Sequence, residues 1–225
     1  KSQPPVPFGL AVADLMCGNH FTQGILAALL KRAKTGKGVF VEVSLLESIL
    51  DVQFEIITTY LNNEKKLPER GAIQGSAHTL LSAPYGIYKT QQGYIALAMG
   101  DLQHIGKIIG VDLNQFQDKA LWFSSRDTIR QILGDQLLSN TADNWIELLN
   151  KNGIWCGKVM NYNELGNQKF VRDLQLKQTV RNTDNIALTT TRSPIQLDGK
   201  LLLHSKAAPK VGEDNQKIHQ SFLND

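Results

Sequence analysis

Between Asp14 and Lys34 the apolar positions Phe21, Ile25, Leu26, Leu29 and Leu30 recur at spacings of three and four, which predicts a helix. Lys31, Arg32 and Lys34 occupy its last turn, where cations complement the negative end of the helix dipole, and Gly36 supplies a stop. Val39, Val41 and Val43 then alternate with Phe40 and Glu42 in a short β-branched run, the pattern of a strand buried largely on both faces. Ser44-Leu-Leu-Glu47 has the spacing of a capping box, so a second helix is expected from Leu45 through Ile49, Ile56 and Ile57 to about Tyr60. Helix, strand, helix is the grammar of a layered α/β domain.

From Asn62 to Ser76 the chain turns polar, with Pro68, Gly71 and Gly75 as breakers, which marks a linker or long functional loop and a domain boundary. Tyr85 to Lys89 and Tyr94 to Met99, separated by Thr-Gln-Gln-Gly, read as a β-hairpin. Helical patterns follow at Leu102 to Ile109, Ile129 to Leu138 and Trp145 to Leu149, the last entered through Thr141 as N-cap and ended near Asn152-Gly153. These elements make a small α+β domain. Beyond Gly157 the sequence is polar and irregular through Thr191, then closes with Ser193-Pro194-Ile195, a Leu201 to Leu203 run and Ala208-Pro-Lys-Val-Gly212. There is no internal repeat.

Composition narrows the class. With 225 residues, 42% of them apolar, the chain can bury one substantial core or two small ones. A net charge of +3 without a basic block gives no electrostatic footprint for nucleic acid. No run of about eighteen apolar residues is present, so a membrane span is not expected, and the Pro-rich start lacks the apolar core of a signal peptide. Cys17 and Cys156 form no metal or disulfide pattern and fit a reducing, cytoplasmic setting as thiols that pack.

The most suggestive residue is Asp14. A carboxylate at a helix start lies among unpaired backbone N–H groups and at the positive end of the dipole, which keeps it ionised. An ionised, fixed carboxylate can attack a thioester carbonyl; position alone favours a plain capping role, since aspartate is among the preferred capping residues. Gly9, Gly18 and Gly24 surround this start without making a phosphate-binding fingerprint, and Gly24 suits close packing. Thr35-Gly-Lys-Gly38 follows a helix and precedes a strand, the reverse of a phosphate loop, and reads as a helix stop. Arg32, Lys34 and Lys37 lie roughly 25 to 35 Å from Asp14 by the helical rise of about 1.5 Å per residue, and read as solvated charges. His20, six residues beyond Asp14, is out of phase for a shared hydrogen bond and reads as a packing or supporting residue. His78 falls in the Gly75 to Thr79 loop; His104, His204 and His219 show no partner spacing, and no metal-ligand cluster is expected.

Gly9-Leu-Ala-Val-Ala-Asp14-Leu-Met-Cys-Gly18, Gly24-Ile-Leu-Ala-Ala-Leu-Leu-Lys-Arg32-Ala-Lys-Thr35-Gly-Lys-Gly38 and Val41-Glu-Val-Ser44-Leu-Leu-Glu47 closely resemble the family III CoA-transferases. So do Ala83-Pro-Tyr-Gly86-Ile-Tyr-Lys-Thr90, Gly153-Ile-Trp-Cys-Gly157, Ser193-Pro-Ile and Ala208-Pro-Lys-Val-Gly-Glu-Asp-Asn215. The resemblance places Asp14 on the family's catalytic aspartate, which forms a mixed anhydride and then an aspartyl-CoA thioester. It places Leu45 near bound CoA, and Ser76 and His78 as loop contacts to substrate. It implies an α/β fold in which a Rossmann-like large domain (1–62 and 190–225) accompanies a smaller α+β domain (77–160), joined by linkers at 63–76 and 161–189. An interlocked homodimer is implied, with an acyl-CoA and a small carboxylic acid as partners and the CoA thioester as substrate rather than a tightly bound cofactor. The family's N-terminal region, which supplies most of the CoA pocket, is not in this sequence. Gly75 to Thr79 reads Gly-Ser-Ala-His-Thr where formyl-CoA transferase has a glycine-rich loop over the active site, which argues against an oxalate and formyl substrate pair. Two other readings stay open: an α-methylacyl-CoA racemase with Asp14 as general base, and a fragment inert on its own.

Overall fold

The first long apolar pattern forms α1 (Val12–Thr35), 24 residues ended by Gly36 at φ +71°, whose N–H donates to the Arg32 carbonyl at 2.8 Å. This is a computed structural model that describes residues 7–76 and 78–222. Lys1 to Val6, Ala77 within the Gly75 to Thr79 loop, and Leu223 to Asp225 lie outside the described residues. The chain divides into two compact units between Val159 and Met160.

In the first unit α1 packs on α2 (Leu45–Val52). The Ser44 hydroxyl oxygen accepts from the Glu47 N–H at 3.1 Å and donates to the Glu47 carboxylate at 2.6 Å. The single helix expected from Leu45 to Tyr60 is instead two, because the chain breaks at Gln53 and resumes as α3 (Phe54–Asn62). Residues 39–43 form no strand. Alternating valines fit a strand, yet a strand exists only with a ladder partner, and none among the described residues pairs with this segment. Gly24 has the packing use expected of it: a Cβ there would lie 2.7 Å from Val41 Cγ1.

The expected hairpin is β1 (Gly86–Lys89) and β2 (Tyr94–Leu97), antiparallel, with Tyr88 opposite Ile95 and Gly86 opposite Leu97. Gly86, Tyr88, Ile95 and Leu97 face the core while Ile87, Lys89, Tyr94 and Ala96 face outward, a clean two-residue alternation. Of the helices that follow, α6 (Arg126–Leu137) and α7 (Ala142–Lys151) pack against it, α4 (Leu102–Ile109) packs on both of these and α5 (Leu121–Ser124) on α6, and a third strand, β3 (Cys156–Lys158), adds antiparallel to β2. Capping fixes two of these helices: Asp101 accepts from the His104 N–H and Thr141 from the Asn144 N–H. Ile105, Ile129, Leu133, Leu149 and Ile95 are fully buried and centre the core, and the Trp145 indole N–H inside it donates to the Leu137 carbonyl at 2.9 Å.

The second unit is more ordered than its polar sequence predicts. It contains α8 (Tyr162–Gly166), entered through a full Asn161–Glu164 capping box, and α9 (Lys169–Asp173). An antiparallel pair follows, β4 (Lys177–Arg181) and β5 (Ala187–Thr191), then a short hairpin of β6 (Gln196–Leu197) and β7 (Lys200–Leu201), and α10 (Asn215–Phe222). The expectation of an irregular stretch to Thr191 fails because β4 and β5 bury little beyond Val180, so no apolar alternation announces them. Buried Arg192 ties this unit together by donating to the carbonyls of Leu174 and Gln175 at 2.7 and 2.9 Å. The chain is thus a mixed α/β protein.

Candidate active site

Asp14 is the third residue of α1, not its cap. Ala11 occupies the N-cap position and offers no side-chain acceptor. The first intrahelical bond of the ladder runs from the Leu15 N–H to the Ala11 carbonyl at 3.0 Å, so the N–H groups of Ala13 and Asp14 have no acceptor within the helix. The exposed Asp14 carboxylate therefore stands in the first turn beside outward-directed amides, at the positive end of a long dipole.

His20 has turned away from Asp14 to α2. Its Nδ1 lies 3.1 Å from the buried Ser48 hydroxyl and its Nε2 3.3 Å from the Asp51 carboxylate. This is the supporting role expected of it: the ring locks α1 to α2. Leu45 opens α2 directly after the Ser44 cap and is half exposed.

Ser76 and His78 do come together. Both line a cavity of about 700 Å³ whose other walls include Phe8, Ile56, Tyr85 and Ile87. His78 Nδ1 accepts the Leu80 N–H at 3.2 Å, which leaves the proton of the neutral ring on Nε2. That Nε2 faces the Glu55 carboxylate at 3.9 Å, and the ring meets Tyr85 edge-on, with centroids 6.4 Å apart. Glu55 and His78 are the ionisable side chains lining a largely apolar chamber together with Tyr85. Asp14 and Leu45 are not among the residues that line it.

A group that sequence reasoning missed holds the loop carrying Ser76. The Asp127 carboxylate accepts the N–H groups of Ala72 and Ile73 at 2.9 and 3.2 Å, and Arg126 donates to the Glu69 carbonyl at 2.9 Å. Arg130, 4% exposed, donates to the carbonyls of Gln74 and Tyr85 at 2.9 and 2.8 Å. Partial burial works to raise the Asp127 carboxyl, but the two backbone donors with Arg126 and Arg130 outweigh it and hold the group below the usual carboxylate range. The signal in the sequence was slight: Arg130 falls three and seven residues before Leu133 and Leu137, on the buried face of an otherwise ordinary amphipathic helix.

Among the described residues no cluster of three metal-ligating side chains exists, and no helix is long and apolar enough to cross a membrane. Cys17 and Cys156 are free thiols, each half-buried.

Comparison with known proteins converges with this architecture. The sequence pattern of CoA-transferase family III matches residues 1–215, and the chain belongs to that family. It is 24% identical to the mouse succinyl-CoA:glutarate CoA-transferase over 97% of this chain and 51% of that protein. It is likewise 24% identical to the succinate–glutarate CoA-transferase of Agrobacterium fabrum, over 95% of this chain and 54% of that one. The chain spans about half the length of the curated relatives it matches. Its fold matches the crystal structure of a CaiB/BaiF family protein from Brucella suis with a TM-score of 0.74 at 23% identity, over 97% of this chain and 57% of that one.

Proposed function

We propose that the protein transfers CoA from an acyl-CoA donor to a carboxylic acid acceptor through covalent intermediates on Asp14. The observation that carries this reading is the placement of Asp14: an exposed carboxylate in the first turn of α1, inside the string that resembles the family's catalytic segment. The named relatives that move CoA between organic acids support the same reaction class. In the first step an Asp14 oxygen attacks the thioester carbonyl, the C–S bond breaks, and CoA leaves as thiolate, giving a mixed anhydride. The thiolate then attacks the Asp14 carbonyl and releases the donor acid as its carboxylate. An acceptor carboxylate reverses the sequence, taking CoA and restoring Asp14. The first-turn amides offer donors for the negative charge that builds on the carbonyl oxygen.

Ser76 and His78 contact the organic acid in this reading, and Leu45 borders CoA. The assignment of 1–62 and 190–225 to a Rossmann-like large domain, of 77–160 to a small domain, and a homodimeric assembly belong to the same proposal. Their support is the apolar surface the described residues leave open: Phe40 is 86% exposed, and Leu15, Leu26 and Leu30 of α1 are all more than half exposed. The test is steady-state CoA transfer by the intact protein across a panel of acyl-CoA donors and acids. Asp14→Asn keeps the shape and removes the nucleophile, so transfer falls to background; retained transfer contradicts the assignment. Exchange of the α-proton of a branched acyl-CoA without CoA transfer would point to a racemase instead.

A further inference from the structure

We propose that Arg130 and Asp127, on the buried side and first turn of α6, are positioning residues that set where the loop carrying Ser76 and His78 stands against its cavity. This rests on the reading of that loop as an acid-binding segment.

The loop is held mainly by its backbone. From Glu69 to Gly75 five main-chain groups are engaged: the Glu69 carbonyl by Arg126, the Ala72 and Ile73 amides by Asp127, the Gln74 carbonyl by Arg130, and the Gly75 carbonyl by the Ile87 N–H at 2.7 Å. Four of the five partners are side-chain contacts from one turn of α6. Arg130 also grips the other wall, through the Tyr85 carbonyl, so one guanidinium fixes the separation between the loop and the start of β1. Its Cζ stands over the Tyr88 ring, 5.3 Å from the ring centroid.

Two glycines carry the imprint of this group. A Cβ on Gly75 would lie 2.7 Å from Arg130 Nη2 and 2.3 Å from the Ile87 carbonyl oxygen. A Cβ on Gly86 would lie 2.4 to 2.9 Å from three guanidinium atoms. Both residues also line the cavity that takes Ser76 and His78. The guanidinium is thus packed against the reverse side of the cavity wall, without lining the cavity itself.

Stability alone does not account for an arginine here. Its Nε is buried with no hydrogen-bond partner among the described residues, and an apolar side chain of similar volume fills a core at lower cost than a desolvated charge. What an apolar side chain lacks is a directional hold on two carbonyls from opposite walls. The carboxylate of Asp127 adds the complementary hold on two amides.

The test uses the intact protein with Asp127→Ala and Arg130→Lys, the second retaining charge while losing the forked reach. Amide hydrogen exchange at Ala72 and Ile73 in Asp127→Ala, and at Ile87 in Arg130→Lys, should rise at least about tenfold, while Ile105, Leu133 and Leu149 keep their protection. The His78 ring proton resonances, set by the edge of Tyr85, should move in both variants. In the transfer assay KM for the acid should rise about tenfold or more, with kcat changed much less and Arg130→Lys closer to wild type than Arg130→Met. Unchanged exchange and His78 resonances, or a uniform loss of protection throughout the core with kcat falling as the folded fraction falls, overturns the proposal. The exchange and resonance readouts need no turnover, so an absence of transferase activity in the wild type rejects the acid-binding reading without touching the clamp.

Discussion

If the Arg130 guanidinium is why residue 86 has no side chain, Gly86→Ala should be costly in wild type and much cheaper once that guanidinium is gone. The new methyl carbon would stand 2.4 Å from Nη1, 2.8 Å from Nη2 and 2.9 Å from Cζ of a side chain that is 4% exposed and cannot swing into solvent. To make room the guanidinium must release the carbonyls of Tyr85 and Gln74. Two hydrogen bonds to a charged group are worth about 1.5–3 kcal/mol each. Holding alanine at φ +152° adds about 1–3 kcal/mol of backbone strain. The sum, on the order of 4–9 kcal/mol, rivals the whole stability of an ordinary domain. In Arg130→Met only the backbone strain remains, so the second substitution should cost about 1–3 kcal/mol. Urea unfolding followed by tryptophan fluorescence reads this out, since Trp122, Trp145 and Trp155 all lie in the first unit. The four proteins of the double-mutant cycle should show a coupling of about 3–6 kcal/mol between positions 86 and 130, the worth of the two released hydrogen bonds. Additivity within about 0.5 kcal/mol would refute the steric argument.

Two further outcomes follow from the same structure. Ser44→Ala removes the oxygen that accepts the Glu47 N–H and should lower stability by about 1 kcal/mol, seen as a reduced urea midpoint with unchanged slope. Asp127 has a depressed carboxyl, so its contribution to folding is present above the ordinary carboxylate value near 3.9 and is lost as pH falls through its lower folded value. Stability of wild type minus that of Asp127→Asn, measured from pH 7 downward, should stay level to about pH 5 and shrink below about pH 4.

The parts of the fold that were legible in the sequence are those whose signals are local. Gly36 ends α1, Asp101 and Thr141 start α4 and α7, and the two-residue alternation around Gln92-Gly93 marks the hairpin; each involves residues within a few positions of one another. Where the pattern depends on a distant partner it misleads. Val39 to Val43 have the composition of a strand and no ladder, while Lys177 to Arg181 and Ala187 to Thr191 have a ladder but little apolar content. Gln53 breaks a helix whose three- and four-residue spacing runs on unbroken through Ile56 and Ile57. The site divides the same way. The helix-start position of Asp14 was readable because a helix terminus is a local event, although its rank as third residue rather than cap was not. The loop of Ser76 and His78 was readable from its glycines. Glu55 opposite His78, and Asp127 and Arg130 behind the loop, were not, because 23 to 56 residues separate each from what it touches.

The central claim is that Asp14 becomes covalently acylated during turnover. The direct measurement is to incubate the intact protein with an acyl-CoA panel, quench with hydroxylamine and map the modified peptide by mass spectrometry. A hydroxamate on Asp14, absent from Asp14→Asn, is the predicted result. Acyl-CoA binding without any adduct on Asp14 under turnover conditions would contradict the account.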